Sequence, residues 1–116
     1  MTTEGKIKQK INKLLDGHAY NIYRFMPVPT GYGNLTLDYL LCAYSRFVAI
    51  EAKRPGLEPT KLQSITMAKI EAAGGIAICV DGDAALAELA KLLRRLKIQH
   101  EFNRIRSEQA DPAADD

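Results

Sequence analysis

Residues 35–53 read LTLDYLLCAYSRFVAIEAK, and this stretch decides the fold. It holds two apolar segments of strand length, 35–43 and 47–53, joined by the short turn 44–46. Apolar runs of this length on either side of a tight turn are typical of a hairpin. We therefore expect two neighbouring strands here, with the polar residues at their open ends.

Three charged side chains mark the open end of this hairpin. Asp38 begins the first strand, and Glu51 and Lys53 end the second. Side chains two positions apart share a face of a strand, so Glu51 and Lys53 point away from the apolar side chains at positions 48, 50 and 52. A Glu-x-Lys on its own is usually a surface salt pair at a strand end. Asp38 on the adjoining strand favours a site instead, because all three groups converge at one end of the sheet.

The chemistry of these groups suits a hard divalent cation. Asp38 and Glu51 offer carboxylate oxygens for Mg²⁺ or Mn²⁺, and the backbone carbonyl of Ala52 is a further candidate ligand. Such a metal polarises a phosphate and lowers the pKa of bound water. Lys53 would orient that water or offset developing negative charge.

The segments around the hairpin alternate between helix and strand patterns. Apolar spacing, turn residues and prolines predict five further elements and the order α-β-β-β-α-β-α of an α/β protein. The strand before the last helix is continuously apolar, so we expect it to be buried on both faces. The five elements are a helix over 6–16, a strand over 20–26, a helix over 59–73, a strand over 76–80 and a helix over 83–97.

The first helix carries an acid on its apolar side. Glu4 extends the inward stripe of this helix, whereas Lys6, Lys10 and Lys13 lie on the opposite face. Glu4 is either a residue placed favourably at the positive end of the helix dipole or a third acid lining the metal site. The three lysines form a solvated face or contact phosphates.

The combined spacing resembles the VRR-Nuc family of the PD-(D/E)XK nuclease superfamily, over about Glu4 to Gly82. The chain departs from the family at the first acid, where Thr36-Leu37-Asp38 replaces the common Gly-x-Pro-Asp. This difference affects the backbone conformation that positions Asp38, but the carboxylate itself is retained. The resemblance rests on Asp38, on Glu51-Ala52-Lys53 thirteen residues after it, on Arg54-Pro55-Gly56, on Pro59-Thr60-Lys61-Leu62-Gln63 and on Ala72-Ala73-Gly74-Gly75.

The resemblance implies a restriction-endonuclease-like core, with a mixed sheet flanked by helices, and a metal-dependent DNA endonuclease. Asp38 and Glu51 would be the ligands of Mg²⁺ or Mn²⁺, and Lys53 the catalytic lysine. Gln63 would reach from its helix into the site, and Glu4 would be the acid of the first helix. Taken alone, a helical Gln is usually exposed.

Small proteins similar to this one in the family act as homodimers on branched DNA, including Holliday junctions, in bacterial or phage recombination and repair. The resemblance therefore implies DNA as partner, with weak sequence specificity. Two alternatives stay open: a DNA-binding module without catalysis, and a nuclease subunit that needs a partner such as a helicase. We expect five residues to contact DNA, namely Lys6, Lys10, Tyr32, Arg54 and Lys61. For Tyr32, a packed loop anchor is an equal interpretation.

The charge composition bears on the expected partner and on the domain bounds. The net charge is +2, but the last ten residues hold four acids and no Lys or Arg, so 16 basic and 10 acidic residues remain before them. This basic excess suits a polyanion partner and also occurs in proteins that bind none. We expect a nuclease domain over 1–106 and a disordered acidic tail over 107–116.

The apolar runs, the N-terminus and the cysteines indicate the compartment in which we expect the protein. No apolar run is long enough for a membrane span, and the N-terminus does not resemble a signal peptide. We interpret Cys42 and Cys79 as buried thiols in a cytoplasmic protein. We expect His18 at the surface and His100 in a basic stretch, both without catalytic partners.

Overall fold

A four-stranded mixed sheet with helices on both faces forms the described part of the chain. The computed structural model describes residues 2–28 and 36–110. The strand order is β1-β2-β3-β4, with β1, β2 and β3 antiparallel and β4 parallel to β3. The predicted α/β class and element order are confirmed. The elements are α1 (Thr3–Asp16), β1 (Ile22–Phe25), β2 (Tyr39–Ala43), β3 (Arg46–Ala52), α2 (Lys61–Ala72), β4 (Ile76–Val80) and α3 (Asp83–Glu108), with a 3₁₀ turn at Ala19–Asn21.

The main core lies between the sheet and the helices α1 and α3. Val48, Ile50 and Ala52 of β3 face this core, as the alternation along the strand predicts. α2 crosses from β3 to β4 and packs against β4, on the face that carries Glu51. The helices contribute Ile7, Ile11 and Leu15 from α1 and Leu89, Leu93 and Leu96 from α3.

The last helix is longer than its apolar pattern predicts. The prediction that it ends at Lys97 is wrong, because α3 continues to Glu108. Its buried stripe stops at Leu96, while residues 97–108 contain no Gly or Pro to end the helix. Ser107 and Glu108 therefore belong to α3, and the tail from residue 111 lies outside the described residues.

Two burial predictions are wrong. β4 is half-buried over four of its five residues, because it lies at an edge of the described sheet rather than between strands. Cys42 is exposed and Cys79 is half-buried, since α2 covers only part of the second sheet face. None of the described helices combines the length and the hydropathy needed to cross a bilayer.

Candidate functional site

The hairpin of β2 and β3 brings two carboxylates together at its open end. Tyr39 pairs with Ile50, so Asp38, just before β2, lies opposite Glu51. The backbone N–H of Asp38 donates to Glu51 Oε2 over 3.3 Å. The backbone N–H of Ala52 donates to Asp38 Oδ2 over 2.9 Å. Each acid is thus held by the strand that carries the other.

Glu51 is the single charged side chain in the buried set of the described residues, at 3 % exposure. Burial raises the pKa of Glu51 from 4.5 to about 7, and the nearby Asp38 charge and a hydrogen bond to the Asp38 side chain act in the same direction. The Lys53 ammonium opposes this pKa shift. Two acids in so little water repel each other, and a cation between them would relieve that repulsion.

Two lysines border the acidic pair. Lys53 Nζ lies 4.0 Å from Glu51 Oε1, and its side chain is 13 % exposed. Lys8 Nζ lies 3.6 Å from Asp38 Oδ1. Sequence reasoning predicted Lys53 at the site but missed Lys8, which sits beside the inward stripe of α1 one residue after Ile7.

Gln63 reaches the pair from α2 because the start of that helix holds its side chain. The Thr60 N–H donates to Gln63 Oε1 over 2.9 Å, and the Gln63 N–H donates to Thr60 Oγ1 over 3.2 Å. The same amide then presents its Nε2, which donates to Glu51 Oε1 over 3.0 Å. Thr-x-x-Gln is the spacing of a capping box, so Thr60 was readable from the sequence but was missed.

The donor set fits a hard divalent cation. Asp38 and Glu51 provide carboxylate oxygens from two adjacent strands, and Mg²⁺ is commonly held by one or two carboxylates with water in its other positions. Within residues 2–28 and 36–110, no third His, Cys, Asp or Glu completes a cluster of three with them. Ala52 belongs to the site through its N–H, while a role for its carbonyl stays a prediction.

Glu4 lies in the first turn of α1 and is half-buried. No described hydrogen bond or ion pair joins it to Asp38 or Glu51, whereas Lys8, one turn further along α1, pairs with Asp38. Its role as a third acid at the site stays a prediction.

Two of the basic residues predicted to contact DNA line a cavity next to the start of α1. Lys6 and Lys10 line this cavity of about 250 Å³ together with Pro55, which follows Arg54 in the chain. Lys10 Nζ is paired with Asp83 Oδ1 at 2.8 Å. Lys6, Lys10 and Arg54 are exposed, so they are accessible to a phosphate backbone.

Two further residues, Lys61 and Tyr32, are predicted to contact DNA. Lys61 opens α2 and is exposed. Tyr32 lies outside the described residues. Its assignment stays a prediction.

Both histidines have hydrogen-bond partners that their sequence spacing did not indicate, while the expectation that they lack catalytic partners stays a prediction. His18 Nδ1 lies 2.6 Å from the hydroxyl oxygen of Tyr44, and His100 Nδ1 lies 3.3 Å from Ser45 Oγ. Both imidazoles pack against the Tyr44 ring. No sequence spacing signals this cluster, because its members come from the end of α1, the β2–β3 turn and α3.

Comparison with protein-family models, with curated proteins and with solved structures finds no match to this chain. The function is therefore argued from the geometry of the described residues and from the sequence pattern around them.

Proposed function

We propose that this protein is a metal-dependent DNA endonuclease of the PD-(D/E)XK type, similar to the VRR-Nuc family. The observation that carries the proposal is the buried Glu51 carboxylate beside the half-buried Asp38, flanked by Lys53 and Gln63 at the open end of the β2–β3 hairpin. Burying an acid next to a second acid is costly, and such groups are concentrated at sites that bind a cation or transfer a proton. The sequence resemblance assigns these same four residues to the active site.

Asp38 and Glu51 would hold the Mg²⁺ or Mn²⁺ ion. When bound, the metal supplies Lewis acidity and lowers the pKa of a water molecule. Lys53 lies close enough to Glu51 to place a positive charge beside a phosphate at this site, where negative charge develops during hydrolysis. Gln63 holds one oxygen of Glu51 by donating to it, which fixes the carboxylate for the metal.

We propose branched DNA, such as a Holliday junction, as substrate, bound mainly through phosphates. Lys6, Arg54 and Lys61 are exposed cations suited to that contact. Affinity should fall steeply with salt, because each phosphate contact releases counterions. Sequence preference should be weak.

We also propose a homodimer, in which two sites related by a twofold axis face two strands of a symmetric substrate. The C-terminal half of α3 supports it, since Ile98, Phe102 and Ile105 are 61, 55 and 45 % exposed. Their spacing of four and three residues places them on one side of the helix. An apolar stripe that the described residues leave exposed suits a helix of a second copy.

Cleavage of four labelled DNAs tests the function: a four-way junction, a flap, a single strand and a linear duplex, each with Mg²⁺, Mn²⁺ or EDTA. We expect metal-dependent cutting of the branched DNA, abolished by Glu51→Ala and by Lys53→Ala. Lys91→Ala is the matched control, because Lys91 is an exposed cation on α3 that pairs with Glu88 rather than with Asp38 or Glu51.

Intact DNA in every reaction would contradict the proposal for the isolated chain. A folded protein that binds these DNAs without cutting them would indicate a binding module. If cutting appears only after a helicase or another partner is added, the chain is a dependent nuclease subunit.

A further inference from the structure

A second cavity lies at the opposite end of the hairpin from the acidic pair. Asp38 and Glu51 occupy the open end, whereas Tyr44 and Ser45 form the turn that joins the other ends of β2 and β3. Five or six strand residues separate the two ends, which corresponds to roughly 16–20 Å. The cavity has a volume of about 440 Å³, within the range of small-ligand sites.

The wall of this cavity is rich in hydrogen-bond donors. Arg46 at the start of β3 and Arg104 on α3 contribute guanidinium groups, and Ser45 contributes a hydroxyl. His100 and Asn103 add an imidazole and an amide from the same side of α3. None of the described lining residues is acidic. This composition suits an anion with several acceptor oxygens.

The existing partners of the two arginines leave them able to bind such an anion. Arg104 Nη1 pairs with Glu108 Oε1 at 2.9 Å, but both side chains are about 60 % exposed and an exposed pair contributes little. Arg46 Nη2 donates to the Gly74 carbonyl over 3.3 Å, which uses one of its five N–H groups. A phosphate would take the free donors of both side chains.

Other charges near the cavity are balanced. Lys97 is near enough to His18 to lower the pKa of that imidazole, although burial is the larger cause. Glu101 raises the pKa of Tyr44, again after burial. Lys97 and Glu101 offset each other and Glu108 pairs with Arg104, so the remaining positive charge at the cavity comes from Arg46.

The turn that lines one part of the cavity has an uncommon backbone conformation. Tyr44 and Ser45 have φ angles of 51° and 69°, values that two-residue hairpin turns normally assign to Asn-Gly. The bonds from His18 to Tyr44 and from His100 to Ser45 hold this turn in place. Strain of this kind is concentrated at functional sites.

We infer that this cavity binds a phosphate group of a nucleic-acid strand, as a second contact for the substrate of the proposed nuclease. The inference rests on the proposed function for its choice of ligand. A guanidinium pair, a hydroxyl and an amide bind the phosphate oxygens, and the volume leaves room for the attached sugar. This contact holds a nucleic-acid strand at a distance from the acidic pair. It does not distinguish between bases, because it involves only the phosphate group.

The test uses the two histidines, which are the only ones in the chain and both lie at this turn. Their imidazole NMR signals report on the cavity and are assigned with His18→Gln and His100→Gln. The full chain is titrated in EDTA with a short single-stranded oligodeoxynucleotide, with a mononucleotide and with inorganic phosphate. We expect the imidazole signals of His100 to shift saturably. Of the three probes, the oligonucleotide should produce this shift at the lowest concentration. Arg104→Ala should weaken this binding about tenfold or more, while the similarly exposed and paired Lys91→Ala should bind like the wild type.

Three outcomes would overturn the inference. One is the absence of saturable shifts with any of the probes, and another is wild-type binding by Arg104→Ala. The third is binding of the mononucleotide or of inorganic phosphate as tightly as the oligonucleotide, which would assign the cavity to a free phosphate compound. Glu51→Gln separates this test from the nuclease proposal, because it should abolish cleavage and leave the His100 shifts unchanged.

Discussion

At the scale of single residues, Glu51 determines the behaviour of the site. Its carboxylate is 3 % exposed and lies against a second acid, so its charged form is disfavoured in the metal-free protein. The protein keeps an unfavourable group in a position that apolar packing would otherwise fill. Such a cost is typical of a group retained for its chemistry.

Stability should depend on pH through Glu51. Its pKa is about 7 in the folded chain and 4.5 ordinarily, so the folded state binds more protons between these values. The contribution of Glu51 to the free energy of unfolding is therefore fully present below about pH 4.5 and is lost as pH rises through about 7. Urea unfolding of the wild type and of Glu51→Gln across this window measures it.

The quantity to compare is the difference in the free energy of unfolding between the wild type and Glu51→Gln at each pH. His18, whose pKa is lowered, changes stability with pH in the opposite direction, but it is present in both. We expect Glu51→Gln to gain stability over the wild type as pH rises. If the free energies of unfolding of the two proteins changed in parallel with pH, Glu51 would not be a buried carboxylate with a raised pKa.

Part of the site was predictable from single residues, and part was not. Asp38, Glu51 and Lys53 follow from the period of two along the strands, which is a local property. The contact between Lys8 and Asp38 spans thirty residues, and its geometry depends on how α1 packs on the sheet. Packing of this kind has no spacing signal.

At the scale of elements, the start of α2 links stability to the site. Thr60 caps the helix and its backbone N–H orients the Gln63 amide. Thr60→Ala removes the hydroxyl acceptor of the capping box and should lower the free energy of unfolding by about 1 kcal/mol. Looser capping should also reduce cleavage, since Gln63 no longer holds Glu51 in one place.

Thermal or urea unfolding measures the loss of stability in Thr60→Ala, and the cleavage rate measures the loss of activity. Thr66→Ala is the control, because the Thr66 hydroxyl donates to Leu62 within the same helix and does not cap it. Equal losses in the two variants would argue against a positioning role for Thr60.

The end of α2 depends on a close approach that only glycine allows. A Cβ on Gly75 would lie 2.8 Å from Ile70 Cγ2 and 3.0 Å from Phe47 Cδ1. Gly75→Ala should therefore lower the free energy of unfolding by about 1–3 kcal/mol, as overpacking does. Gly82→Ala is the matched control, because a Cβ there meets nothing within 4 Å. Equal unfolding midpoints in urea would contradict the close approach of Gly75 to Ile70 and Phe47.

The element order was predictable because each segment has its own period and its own stop signals. The end of α3 was not, since the apolar stripe that marks the helix stops at Leu96 and the helix continues without it. Burial of β4 was also misjudged, because an apolar run does not reveal whether a strand lies at an edge. Both errors concern what surrounds an element rather than its type.

At the scale of the whole molecule, α3 extends beyond the core and makes the protein elongated. The principal extents are 55 × 26 × 21 Å, and the radius of gyration is 16.5 Å, against about 13 Å for a compact chain of near this length. The extended part of α3 carries the stripe of Ile98, Phe102 and Ile105 on one side. Its other side faces the cavity at the β2–β3 turn.

The proposed dimer should depend on that stripe. Phe102→Glu places a charge at its centre and should convert the dimer to a monomer at micromolar concentration, as measured by analytical ultracentrifugation. Phe25→Glu is the control, because Phe25 is equally exposed but lies on β1. A wild type that sediments as a monomer, or a Phe102→Glu variant that remains dimeric, would contradict this interface.

The central claim is that Asp38 and Glu51 together hold a divalent metal. The most direct test is Mn²⁺ binding to the wild type and to Glu51→Gln above pH 7, measured by isothermal titration calorimetry without DNA. The wild type should bind a single Mn²⁺ per chain, and Glu51→Gln should lose that binding. Equal Mn²⁺ binding by the two proteins, or none by a folded wild type, would contradict the claim.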